Sequence, residues 1–354
     1  MNEMMQYYKD KRILVTGSSG FVGGWLTIVL NHVFKANVYG LGLKPRSNKD
    51  LYYSADVNSF LEKQYFINIC SKNGLNRVIE EVQPEIIFHL AAQPLVLESY
   101  QDPAKTFNVN VVGTINLLNL LNNNLKKINC TVITTDKCYE NDEKGRAFKE
   151  TDVLGGIDPY SASKAACEIA CRSFYYSFLG EKSNFKLSTA RAGNIIGGGD
   201  WSKDRIVTDV MNSYRERKSI TLRNPNAVRP WQHVLDVVYG YILQTHSNQH
   251  QEKFHSYNFG PKKTSEITVF DLVTKLNSYL GFDVSSNIEP SNYHESSVLR
   301  LDSSKAINEL DWSQMLDINN ALALTADWYK SFIDGHDMRK VTLNQIDNFF
   351  SNIN

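Results

Sequence analysis

Apolar residues in the first half of the chain form short runs, and segments with helical spacing separate them. The pattern predicts strands at residues 11–15, 37–41, 64–69, 85–90, 131–134 and 186–190, with helices at 21–34, 77–82, 103–122 and 160–179. The run at 85–90 is almost entirely apolar, which is typical of a strand covered on both faces. Strands that alternate with helices predict a parallel, doubly wound sheet.

The regular alternation ends after Arg191. Residues 193–230 are rich in loop-forming residues and include the run Gly197-Gly198-Gly199. Beyond them, helical patterns mix with short strands, which predicts a smaller mixed α/β lobe over one edge of the sheet. We therefore expect one domain over residues 1–192, rejoined by 233–260, and a second lobe from 193–232 and 261–354.

Composition excludes several classes of protein. The 354 residues carry a formal net charge of +0, so no basic excess indicates binding to nucleic acid or to a membrane surface. No apolar run approaches the ~20 residues of a membrane span, and the N-terminal residues lack signal-peptide character. The five cysteines show neither a CxxC pair nor metal-ligand spacing, so we expect no metal and a reducing, cytoplasmic compartment.

The segment Thr16-Gly17-Ser18-Ser19-Gly20-Phe21-Val22-Gly23 joins the first strand to its helix. Glycines at such a turn let a pyrophosphate approach the helix N-terminus, where free N–H groups favour anions. The placement predicts a dinucleotide site of the Rossmann type, with Thr16, Gly17, Gly20, Phe21, Val22 and Gly23 as contacts.

The second and third strands bear on which dinucleotide is bound. No Asp or Glu lies between Gly24 and Lys49, where a carboxylate that binds the ribose is expected, and Lys44 and Arg46 stand there instead. This leaves NAD and NADP both open. At the end of the third strand, Asn68 is either a hydrogen-bond acceptor for the adenine amino group or a turn residue.

Tyr160 and Lys164 lie four residues apart and therefore on one face of a helix. The ammonium group is expected to lower the pKa of the phenol, so that Tyr160 acts as a base near neutral pH. Thr135 adds a hydroxyl for the same substrate oxygen. Asp136 follows directly and is a candidate proton donor, which simple oxidation does not need.

With these motifs the chain resembles the extended short-chain dehydrogenase/reductases that act on nucleotide sugars, and within them the CDP-D-glucose 4,6-dehydratases. The resemblance covers nearly all of residues 10–330. It rests on the Gly-rich turn, the Tyr160/Lys164 pair and three narrower strings, Thr135-Asp136-Lys137-Cys138-Tyr139-Glu140-Asn141, Gly197-Gly198-Gly199-Asp200-Trp201 and Arg229-Pro230-Trp231-Gln232-His233-Val234. The chain departs from the family at Asn68 (usually Asp), Leu97 (usually Arg) and Val22 (often Lys).

The resemblance implies loss of water from CDP-glucose, with NAD as a bound cofactor that is regenerated in each turnover. Tyr160 takes the O4 proton, Lys164 supports the phenolate and the nicotinamide ribose, and Thr135 shares the bond to O4. Asp136 protonates the departing O6. Lys137 stands where related enzymes have a Glu base, so it is either the base at C5 or an ion-pair partner of Asp136.

The resemblance also implies cofactor contacts at Asn68 and Ala91. Substrate contacts are expected at Gln93, Asn194, Trp201, Arg205, Arg229, His294 and Glu295. Arg229 would bind the nucleotide pyrophosphate, for which its fork of donors is suited. The alternatives are a 4-epimerase, another nucleotide-sugar dehydratase or a non-catalytic NAD(H) sensor. The helix at 160–179 is the expected contact of a homodimer or homotetramer.

Overall fold

The architecture is built around a parallel sheet. The computed structural model describes residues 1–123, 127–181, 185–251, 253–282, 286–288 and 298–353. Within these residues the main sheet has seven strands, namely β1 (Arg12–Thr16), β2 (Asn37–Gly42), β3 (Lys63–Phe66), β4 (Ile86–His89), β5 (Ile128–Ile133), β6 (Phe185–Ala192) and β10 (His255–Phe259). Their order in the sheet is β10-β6-β5-β4-β1-β2-β3, and all neighbours are parallel.

Helices cover both faces of this sheet, because successive residues of its strands are apolar. In β1, Ile13 and Val15 belong to the core on one face and Leu14 to the core on the other. The helices of this part are α1 (Asn2–Tyr8), α2 (Phe21–His32), α3 (Leu51–Ser54), α4 (Lys72–Val82), α5 (Val96–Gln101), α6 (Pro103–Phe107), α7 (Gly113–Asn122), α8 (Pro159–Phe174) and α10 (Val234–Asn248). The doubly wound α/β fold predicted from the sequence is confirmed.

The chain order reverses between β1 and β4, which are neighbours in the sheet although they are distant in sequence. Ligands of doubly wound sheets bind at this switch point, outside the carboxyl ends of the strands. The fold therefore places the Gly-rich turn after β1 at the position where a dinucleotide would bind.

Two small sheets lie in the second half of the chain. β7 (Asn194–Ile196), β9 (Val228–His233) and β11 (Glu266–Thr268) form one, and β8 (Ile220–Leu222) pairs with β12 (Ser286–Ile288). The accompanying helices are α9 (Ile206–Glu216), α11 (Val269–Leu280), α12 (Ser304–Leu310), α13 (Ile318–Ile333) and α14 (Met338–Ser351). The assignment of 193–232 and 261–354 to a nucleotide-sugar lobe stays a prediction.

Several bounds differ from the predicted ones. β3 ends at Phe66, so Asn68 lies in the following turn and not in the strand. The predicted helices at 103–122 and 160–179 each contain a π-helical turn, at Asn108–Val112 and Tyr175–Leu179. In the part of the chain that the structure describes, no helix is long and apolar enough to cross a bilayer.

Candidate active site

A cavity of about 870 Å³ runs along the carboxyl ends of the central strands. Most of the residues predicted from sequence border it, namely Gly17, Gly20, Phe21, Val22, Gly23, Asn68, Ala91, Thr135, Asp136, Lys137, Tyr160, Lys164, Asn194, Arg205 and Arg229. The fold thus brings the predicted cofactor, catalytic and pyrophosphate residues to one space.

The Gly-rich turn is packed so closely that two of its glycines leave no room for a side chain. Gly17 has a φ of +81°, and a Cβ on it would lie 2.9 Å from the backbone nitrogen of Ala91. A Cβ on Gly23 would lie 2.1 Å from the Gly17 carbonyl oxygen. Gly20 is the N-cap of α2, whose first N–H groups have no partner within the helix. This cradle suits a diphosphate.

Asn68, after β3, and Asp50, in the loop after β2, accept hydrogen bonds from backbone N–H groups that are close to them in sequence. The Asn68 side-chain oxygen accepts a hydrogen bond from the Cys70 N–H at 2.9 Å, so Asn68 is a turn residue that also borders the cavity. Asp50 supplies a carboxylate to the wall, just beyond the segment in which the sequence has none. It accepts hydrogen bonds from the N–H groups of Arg46 and Ser47 at 3.0 and 3.1 Å.

The catalytic candidates are positioned by β5 and α8. Thr135 follows β5 and caps the short 3-10 turn Asp136–Cys138. Tyr160 lies in the first turn of α8 and is held there by a hydrogen bond from its N–H to the Ser99 hydroxyl at 3.1 Å. One turn later, the Lys164 ammonium donates to the Ile133 carbonyl at 3.0 Å. All three side chains are buried.

The expected lowering of the Tyr160 pKa is wrong for the protein without ligands. Burial raises the pKa of Tyr160 to about 12, although a hydrogen bond with Thr135 and the charge of Arg205 act in the opposite direction. Burial also lowers the pKa of Lys164, although Cys167 and Glu168 act to raise it. Desolvation outweighs the neighbouring charges because both groups lie almost fully out of water.

Asp136 has the environment that a proton donor needs. Burial raises its pKa, against Lys137, Thr135 and Arg229, which lower it. One carboxylate oxygen accepts from the Thr135 hydroxyl at 3.0 Å, and the other, Oδ2, has no hydrogen-bond partner in the described residues. Lys137 is half-buried, and no described carboxylate lies within 4.0 Å of its ammonium group.

Three predicted contacts do not border the cavity. Gln93 is buried, and its amide bonds to Leu95 and Thr106 hold its own loop. The Thr16 hydroxyl bonds to His89 and accepts from the Ala91 N–H. Trp201 packs against Tyr329 and Phe332, with ring centroids 5.0 and 5.3 Å apart. Two further predicted contacts, His294 and Glu295, lie outside the described residues.

The sequence analysis missed a buried ion pair beneath the site. Glu168 and Arg191 are bonded through both carboxylate oxygens, at 3.0 Å from Nε and 2.8 Å from Nη2. Thr134 donates to the same carboxylate at 2.5 Å and Thr189 at 2.7 Å. A Glu one turn after Lys164, and an Arg in the strand that follows, are the signals that could have revealed it, since buried charges need partners.

Tyr241 on α10 was also missed. It is fully buried and borders the cavity. Its position in an apolar helix carries no signal that separates it from a packing residue. Among the described residues, no cluster of three His, Cys, Asp or Glu side chains is arranged to hold a metal ion.

A dinucleotide cradle at the switch point, with a Thr, Tyr and Lys cluster beside it, defines the class of short-chain dehydrogenase/reductase-like enzymes. The chain matches the family described as GDP-mannose 4,6 dehydratase over residues 14–325, and it belongs to that family. It is 36% identical to the CDP-glucose 4,6-dehydratase of Salmonella typhimurium over 98% of each chain.

More distant similarities agree with the fold. The CDP-paratose 2-epimerase of Salmonella typhi is 23% identical, over 90% of this chain and 99% of the epimerase. The dTDP-glucose 4,6-dehydratase of Bacillus anthracis, solved in complex with NAD, superposes with a TM-score of 0.77 at 22% identity, covering 93% of this chain and 99% of that one. The predicted membership among nucleotide-sugar enzymes is confirmed.

Proposed function

We propose that the protein converts CDP-D-glucose to CDP-4-keto-6-deoxy-D-glucose and water. The observation that carries the proposal is Asp136, a buried carboxyl group with a raised pKa, hydrogen-bonded to Thr135 beside Tyr160. A 4-epimerase needs the Tyr, Lys and Thr but has no use for an acid at this position. CDP as the nucleotide follows from the 36% identity to the Salmonella CDP-glucose enzyme.

NAD fits the residues that are present. Gly17 and Gly23 leave room for the pyrophosphate at the N-terminus of α2, and Lys164 lies in the wall where it would hold the nicotinamide ribose. Bound NAD would supply an acceptor for the hydride of C4 and a donor of the same hydride to C6, and its positive charge would favour the ionised form of a phenol in this cavity.

The side chains would then move the protons. Tyr160 removes the O4 proton while Thr135 holds O4 and Lys164 stabilises the phenolate. The C4 ketone acidifies the proton on C5, which a base removes. Asp136 protonates O6 as the C6–O6 bond breaks, and water leaves. A proton returned to C5 completes the product, so no net proton is gained or lost.

We assign Lys137 as the base at C5. It borders the cavity and has no contact ion pair with a described carboxylate, which favours this role over the alternative of pairing with Asp136. The charge of Lys137 is nevertheless close enough to lower the pKa of Asp136.

Arg229 and Arg205 would bind the nucleotide side of the substrate. Arg229 is buried, yet it borders the cavity, and its Nη1 donates to the Val228 carbonyl at 3.0 Å, which fixes the guanidinium plane. Planar forks of donors suit diphosphates. Asn194, at the start of β7, faces the same space.

The test is an assay of CDP-, UDP-, GDP- and dTDP-glucose side by side with added NAD or NADP. We expect a 4-ketosugar that absorbs in base and a product lighter by one water, formed fastest from CDP-glucose with NAD. A 4-epimer of equal mass would contradict the dehydratase proposal. Equal rates with dTDP-glucose would contradict the choice of nucleotide only.

We also infer a cytoplasmic homodimer formed through α8 and the turn that follows it. Ile169, Tyr176 and Phe178 are 56%, 59% and 50% exposed, which is unusual for large apolar side chains on one helix. All five cysteines are free, as expected in a reducing compartment. Light scattering on the purified protein, with Ile169→Glu as the disrupting variant, tests the dimer.

A further inference from the structure

Tyr241 holds a polar atom that the protein itself does not use. The side chain is fully buried on α10, and its ring packs edge-on against Phe259 with centroids 5.9 Å apart. The phenol oxygen has no hydrogen-bond partner in the described residues, and the residue borders the cavity.

Three other buried tyrosines have hydrogen-bond partners within the chain. The hydroxyl of Tyr8 donates to the Ile242 carbonyl at 2.7 Å, that of Tyr139 to Asn258 at 2.7 Å, and that of Tyr329 to the Asp200 carbonyl at 2.6 Å. A buried hydroxyl without a partner costs about 1–3 kcal/mol. Phenylalanine would fill the same space without this cost, so the Tyr241 hydroxyl needs a partner that comes from outside the chain.

The second unpartnered atom on this part of the wall is Asp136 Oδ2. Tyr241 lies close enough to Tyr160 and Asp136 for the charges of both residues to disfavour its ionisation. Burial is the larger cause, and together these effects raise the pKa of Tyr241. The phenol therefore keeps its proton at working pH, so it acts as a hydrogen-bond donor and not as a base.

We propose that Tyr241 is a further catalytic residue, which donates a hydrogen bond to O6 of the hexose while Asp136 protonates that oxygen. The inference rests on the proposed dehydration. Tyr160 and Thr135 already serve O4, whereas O6 gains negative charge as the C6–O6 bond breaks and the electron pair moves to oxygen. The proton of the new water comes from Asp136, and Tyr241 keeps its own. A donor aimed at this charge stabilises the transition state.

The experiment compares Tyr241→Phe with Tyr239→Phe. Tyr239 lies on the same helix, but its ring packs on Phe349 and Phe350 and does not border the cavity. Single turnovers with NAD-loaded enzyme and CDP-glucose separate two steps, because the reduced nicotinamide forms on C4 oxidation and can return its hydride only after water has left C6.

For Tyr241→Phe we expect the reduced nicotinamide to appear at the parent rate and to decay on the order of 10²-fold more slowly, the usual effect of losing one such donor. The melting temperature without substrate should be unchanged or higher, since an unsatisfied hydroxyl has been removed. Tyr239→Phe should leave both rates at parent values.

A slower appearance of the reduced nicotinamide would overturn the assignment to O6 and place Tyr241 at O4. Unchanged decay would overturn the catalytic role. A lowered melting temperature with proportional loss of both steps would show a structural role only. Failure of the proposed function is distinct, because the parent enzyme would then form no ketosugar from CDP-glucose.

Discussion

Glu168→Gln should destabilise the protein strongly, because it leaves a buried guanidinium without its counter-charge. The side chains of Glu168 and Arg191 are 1% and 3% exposed. Burial alone would raise the pKa of Glu168, but Arg191 and hydrogen bonds from Thr134 and Thr189 hold it below its usual value. The carboxylate is therefore charged at neutral pH, and glutamine keeps its shape but not its charge.

Breaking a buried ion pair by removing one partner costs about 3–5 kcal/mol. Equilibrium unfolding in urea, extrapolated linearly to water, measures this loss as a shift of the midpoint at constant slope. The matched control is Glu81→Gln, since Glu81 pairs with Lys63 at 2.6 Å but both side chains are exposed. The control should change stability very little.

Activity should fall with the Glu168 variant as well, because the pair joins the elements that carry the catalytic groups. Glu168 lies one turn after Lys164 on α8, and its partner Thr134 directly precedes Thr135. If Glu168→Gln were no less stable than Glu81→Gln, the view that this pair fixes β5, β6 and α8 together would be refuted.

Three further predictions test other parts of the structure. Lys137→Ala should preserve C4 oxidation and slow water loss on the order of 10²–10⁴-fold, read from the accumulation of reduced nicotinamide; normal turnover would dismiss Lys137 as the base. Gly23→Ala should abolish NAD binding in calorimetry, because the new Cβ would lie 2.1 Å from the Gly17 carbonyl oxygen. Unchanged affinity for NAD would contradict the assignment of the Gly-rich turn as the pyrophosphate site. Burial raises the pKa of Asp236 from 3.8 to about 7, so its ionisation opposes folding as pH rises between these values. The difference in free energy of unfolding between Asp236→Asn and the parent, measured by urea titration, should therefore shift in favour of the variant as pH rises through this range. If the two proteins showed the same dependence on pH, the raised pKa of Asp236 would be contradicted.

The sequence was most informative where a pattern has one physical cause. The apolar run at 85–90 predicted a covered strand, which is β4, and the glycines after β1 mark backbone contacts that exclude a side chain. The spacing of Tyr160 and Lys164 placed both on one face of α8, and the structure shows both bordering the cavity.

Sequence motifs shared within a family were less informative, since the same motif contains residues that pack in the core and residues that bind ligands. Trp201 belongs to such a motif, but its ring packs with Tyr329 and Phe332. In the same motif, a Cβ on Gly198 would lie 2.0 Å from the Trp328 ring, so this glycine serves helix packing. Only the tertiary structure distinguishes these packing residues from Arg229, which borders the cavity. It is also the tertiary structure that reveals Tyr241 in the cavity wall.

The place of β10 in the sheet has a consequence for synthesis of the protein on the ribosome. The partner strand β6 is complete once residue 192 has emerged, but β10 pairs with it only after residues 255–259 follow. Until then, the nascent chain exposes an open strand edge, which is a template for wrong pairing. Asn258, which accepts the Tyr139 hydroxyl and so completes the polar network around Arg191, arrives in the same step. The catalytic framework is therefore finished late in translation, and a chaperone that shields this edge would raise the yield of active enzyme.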